Sequence, residues 1–246
     1  MKIKKFLNRQ FQNEKKIKIF QKREDPQNYF KQIKLGVNLE EFKDIILQEE
    51  TSLELGGPKK KSFSLIYPFK DFNFLDDGKI VIVGPETKEL SEKAIDFGII
   101  ILIGVNSVSE KIFDQFRNIA FISNGIEGFM IRTIPRKFWC RISNNVINKI
   151  SFELLANAIL YLYNARFGNF IKAIEIILIS SELDIIDSLI DMTSSIQDVF
   201  NLKWKEKVNE WKRRIDCNFN WECAECPYYD LCENIKEVLK KREVLD

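Results

Sequence analysis

Four of the five cysteines, Cys217, Cys223, Cys226 and Cys232, stand in a C-x5-C-x2-C-x5-C run. Thiolates this close along a chain can converge on one metal centre without a long loop to close. A set of four suits either a tetrahedral zinc or an iron–sulfur cubane. Structural zinc ribbons normally present two C-x2-C knuckles, whereas this run has one, and Pro227 directly follows the cysteine at 226. The spacing therefore points to a 4Fe–4S cluster, with zinc as the alternative. Phe219, Trp221, Tyr228 and Tyr229 lie among the thiolates and would keep water from the centre. The sequence contains no histidine, which excludes Ser-His and Cys-His nucleophiles and every His-ligated metal site within it.

Other chemically suggestive residues are weaker signals. Gly56-Gly57-Pro58-Lys59-Lys60-Lys61 resembles a phosphate loop but lacks the G-x4-G-K-[ST] form, so it reads as a tight turn with solvated lysines. Cys140, alternating away from Trp139 in a strand-like stretch, reads as a small buried hydrophobe.

The elements that must position these residues emerge from hydrophobic periodicity. Stretches at Ser62–Tyr67, Lys79–Val83, Phe97–Val105, Gly128–Ile134 and Phe138–Ser143 are rich in Ile, Val and Phe and bounded by turn residues, which predicts strands. Asp76-Asp77-Gly78 and Gly84-Pro85 supply turn signals between them. Ser107 to Asn118 is read as a helix. Beyond Ser143 the apolar spacing lengthens: Phe152, Leu155, Ala158, Ile159, Leu162 and Tyr163 share one helical face, with Ser151 as N-cap and Gly168 beyond the end. Ile171–Ser180 then reads as a strand, with helices at about 182–191 and 203–215. The expected fold class is α+β, a mixed sheet packed with helices, followed by a small Cys-rich metal-binding segment. Its divisions are a basic N-terminal arm at 1–45, an α+β domain at 46–200 and a helical Cys-rich segment at 201–246.

With 45% hydrophobic and 30% charged residues among 246, the composition is that of a globular protein. A formal charge of only +2 gives no support to nucleic-acid binding. The longest nearly apolar run, Phe97–Val105, is far shorter than the roughly 20 residues of a membrane-spanning helix, so no span is expected. The basic N-terminus lacks the apolar core of a secretory signal, which predicts a cytoplasmic protein whose cysteines stay reduced.

Several short motifs occur together and in order: Leu53-Glu-Leu-Gly-Gly-Pro58, Ser62-Phe-Ser-Leu-Ile66, Asp77-Gly-Lys-Ile-Val-Ile-Val-Gly-Pro-Glu86, Ile126-Glu-Gly-Phe-Met130 and Phe138-Trp-Cys-Arg-Ile-Ser143. In order and approximate spacing they resemble the beta subunit of the carbon monoxide dehydrogenase/acetyl-CoA synthase complex, archaeal type, across about residues 45–180. That resemblance implies a large anaerobic complex, with carbon monoxide dehydrogenase or a corrinoid protein as partners. It also implies a coenzyme A neighbourhood, for which Trp139 and Arg141 are the candidate residues: stacked on adenine and paired with phosphate, or else simply packed within the sheet. In the family, a catalytic A-cluster bridges a cysteine-held cubane to two nickels, and a Cys-Gly-Cys tripeptide supplies sulfurs and backbone nitrogens to the distal nickel. This sequence contains no Cys-x-Cys and ends soon after Cys232. The expectation is a shortened relative with an iron–sulfur cluster and an accessory role. An active acetyl-CoA synthase-type acyltransferase with a rearranged metal centre, and an electron-transfer or redox-sensing module, are the alternatives.

Overall fold

The computed structural model describes residues 17–24, 30, 35, 45–57, 59–70, 72–106, 112, 115–116, 119–134, 137–193 and 232. The chain divides into two compact units, Met1–Thr193 and Ser194–Asp246, of which the first holds both sheets.

The strands of this unit are β1 (Ile17–Gln21), β2 (Thr51–Gly56), β3 (Ser62–Phe69), β4 (Lys79–Val83), β5 (Ala94–Ile95), β6 (Phe97–Val105), β7 (Phe129–Ile134), β8 (Lys137–Ser143) and β9 (Ile171–Ser180). Its longer described helices are α1 (Ala120–Gly125), α2 (Phe152–Phe167) and α3 at 183–193. Two mixed sheets result: a five-stranded one in the order β1-β4-β9-β6-β3 and a four-stranded one in the order β5-β2-β8-β7. The fold is α+β as expected, but with two sheets where one was expected.

Residues 97–105 and 171–180 read as near-continuous apolar runs because β6 and β9 are interior strands buried on both faces. Alternate residues serve two cores. Ile99, Ile101, Ile103, Ile174, Ile176 and Leu178 face one, while Ile100, Leu102, Ala173, Ile177 and Ile179 face the other. The first core is completed by α2 and by the inner face of the small sheet, through Leu53, Leu55, Phe138, Cys140 and Ile142. The second is completed by Ile185, Ile186 and Leu189 of α3.

Helix α2 starts where expected: the Ser151 hydroxyl accepts a hydrogen bond from Leu154 N at 3.1 Å. The carboxylate of Glu86 also reaches it, accepting from Phe152 N at 2.8 Å and so tying the turn after β4 to the helix's positive end. In that turn Gly84 has φ +95°, and a Cβ there would lie 2.0 Å from the Ser180 carbonyl oxygen, so only glycine allows the two chains to approach.

Three differences from the sequence reading have plain causes. β3 runs through Pro68 to Phe69 because it is an edge strand of its sheet, where a missing N–H costs no ladder bond. Ile17–Gln21, within the stretch read as a basic arm, forms β1 by pairing antiparallel with β4. Its Phe20 packs against the first core and Ile17 against the second. Helix α1, in a stretch where the sequence reading places no element, is tied to β7 by the Ser123 hydroxyl, which accepts from the Ile131 backbone N–H and donates to its carbonyl. The helix expected at 107–118 lies mostly outside the described residues, with Ile112, Gln115 and Phe116 helical, and the one at 203–215 lies wholly outside them.

Candidate functional site: the outer face of the small sheet

Strand β8, Lys-Phe-Trp-Cys-Arg-Ile-Ser, alternates sharply. Phe138, Cys140 and Ile142 point into the core, which sends Trp139 and Arg141 to the opposite face. Cross-strand register decides what they meet there. Glu54 of β2 and Met130 of β7 lie opposite Arg141, and Gly56 and Arg132 lie opposite Trp139.

Each of the two candidate residues is engaged inside the protein. The Arg132 guanidinium sits 3.7 Å from the centre of the Trp139 ring, and that of Arg141 lies 5.4 Å from it. Arg141 donates from Nε to Glu54 Oε2 at 3.1 Å and from Nη1 to the Ile46 carbonyl oxygen at 3.2 Å. The side chains of this ion pair are only 13% and 19% exposed, so salt screens it weakly. Trp139 is 4% exposed, and its Nε1 is a buried donor with no hydrogen-bond partner among the described residues. Gly57, at φ +102°, lets the turn lie against this pair, since a Cβ there would come 2.5 Å from Glu54 Oε1 and 3.1 Å from Trp139 Nε1.

An adenine ring would therefore have to displace Arg132 and uncover Trp139, and a phosphate would have to compete with Glu54 for Arg141. As folded, the pair does not fit coenzyme A. It holds the outer face of the small sheet together. Glu54 and Arg132 were not singled out from the sequence. Glu54, a charge between Leu53 and Leu55, follows a period of two that marks it as outward-facing, but its pairing with Arg141 comes from strands 87 positions apart.

The lysine-rich turn has its own partners. Lys60 Nζ lies 2.6 Å from Glu92 and Lys61 Nζ 2.8 Å from Asp187, and these hydrogen bonds push both lysine pKa values up. Cys140 is fully buried, as read from the sequence, and burial drives its thiol pKa strongly upward. The expected metal ligands Cys217, Cys223 and Cys226 lie outside the described residues, and Cys232 is half-buried. Among the described residues no cluster of three or more Cys, Asp or Glu is placed to hold a metal.

With this framework in place, comparison with known families is decisive. The family described as the CO dehydrogenase/acetyl-CoA synthase complex beta subunit matches residues 35–185. The chain belongs to this family. The matched span contains both sheets except β1, together with α1 and α2. Among curated proteins, the chain is 30% identical over 133 residues to the acetyl-CoA decarbonylase/synthase complex subunit beta of Methanopyrus kandleri, covering 53% of this chain and 28% of that relative. It is 29% identical over 124 residues to subunit beta 2 of the same-named complex in Methanosarcina thermophila, covering 49% and 26%. The matched stretch is thus little more than a quarter of these relatives' length. No helix among the described residues is long and apolar enough to cross a membrane.

Proposed function

We propose that this protein is an accessory relative of the acetyl-CoA synthase beta subunit that binds one 4Fe–4S cluster through Cys217, Cys223, Cys226 and Cys232. It works as a subunit of an anaerobic complex of one-carbon or acetyl-CoA metabolism. The reading is carried by one juxtaposition. A segment matching the beta-subunit family at 35–185 is followed in the same chain by a compact run of four thiolates. Both relatives above are themselves named as subunits of an acetyl-CoA decarbonylase/synthase complex, which supports a subunit role; carbon monoxide dehydrogenase or a corrinoid protein is the partner proposed. The thiolates would hold the cluster, and the aromatic residues between them would limit solvent access and so tune its potential. No catalytic role is assigned to Trp139, whose ring is covered by the Arg132 guanidinium, or to Arg141, whose guanidinium is bonded to Glu54 and to the Ile46 carbonyl oxygen.

Anaerobic purification of the full chain with iron, sulfide, zinc and nickel analysis tests this. The reading requires about four iron and four sulfide per chain, lost in a Cys223→Ser, Cys226→Ser variant that keeps the secondary structure of the unaltered chain. One zinc per chain, with no iron, would overturn the cluster assignment. Nickel together with exchange of carbon monoxide into the acetyl carbonyl would replace the accessory role with acyl transfer. Affinity capture from an anaerobic host tests the partner: recovery of the chain alone at native expression levels contradicts a subunit role.

A further inference from the structure

We draw no further inference here: the strongest candidate, the buried Trp139 indole N–H that lies with the Glu54 carboxylate against the Gly57 turn on the outer face of the four-stranded sheet, belongs to the site already described, and the close approach of both groups to a buried glycine makes it a packing contact with no opening that would say what a ligand there could be.

Discussion

The Glu54–Arg141 pair offers the sharpest test of whether the outer face of the small sheet is built for packing or kept for a ligand. Its Nε–Oε2 distance of 3.1 Å and side-chain exposures of 13% and 19% place it between the surface and the interior. Exposed pairs are worth about 0–1 kcal/mol, and breaking a fully buried pair costs about 3–5 kcal/mol. Glu54→Gln keeps the shape and removes the charge, and Arg141→Met keeps most of the stem and removes the guanidinium. Each change should destabilise the chain by about 2 kcal/mol, because each leaves a largely buried charge without its counterion. The double variant should lose about 1 kcal/mol less than the sum, since neither charge is then left alone. Urea unfolding followed by circular dichroism reads this as a shift in midpoint at constant slope. Coenzyme A titration of the same four proteins supplies the second readout. The reasoning fails if both single variants are as stable as the parent and their effects simply add. It fails equally if the parent binds coenzyme A and Arg141→Met abolishes binding without loss of stability.

The geometry leads to four other expected outcomes. Gly84→Ala should destabilise by at least about 2 kcal/mol, because its Cβ would lie 2.0 Å from a backbone oxygen at a positive φ, and a midpoint unchanged in urea would contradict that packing. Glu86→Ala should cost about 1–2 kcal/mol by removing the carboxylate that accepts from Phe152 N, and Glu86→Gln less, as measured by thermal unfolding. The Cys140 thiol has a folded-state pKa raised by burial, so its contribution to stability is fully present below the unfolded thiol's pKa of about 8.5. It declines as pH rises above that value, because the unfolded chain gives up a proton that the folded chain keeps. A Cys140→Ala variant should show a shallower alkaline loss of stability, and in the parent a thiol reagent should label Cys140 only upon unfolding. Leu155→Ala, at a fully buried position of α2, should cost about 2–5 kcal/mol in the same urea assay.

Much of the framework could be read from local pattern because local pattern is what generates it. The continuous apolar runs of β6 and β9, the Ser151 cap of α2 and the alternation of Phe138-Trp139-Cys140-Arg141 each express the backbone's own period, and each stands in the structure as read. Family membership was legible too, through several short motifs in register, and the comparison over 35–185 agrees. The amino-acid order alone also gathers four cysteines within residues 217–232, since closeness along a chain needs no fold to create it. Other features depend on residues distant in sequence. That Ile17–Gln21 joins a sheet depends on β4 offering an open edge some sixty positions away. Pro68 is tolerated inside a strand only because β3 lies at the sheet's edge. From sequence, Trp139 and Arg141 read either as a coenzyme A contact or as residues packed within the sheet. Cross-strand register sets Arg132 of the neighbouring strand β7 against Trp139 and Glu54 of the distant strand β2 against Arg141, pairings that no single strand's period encodes.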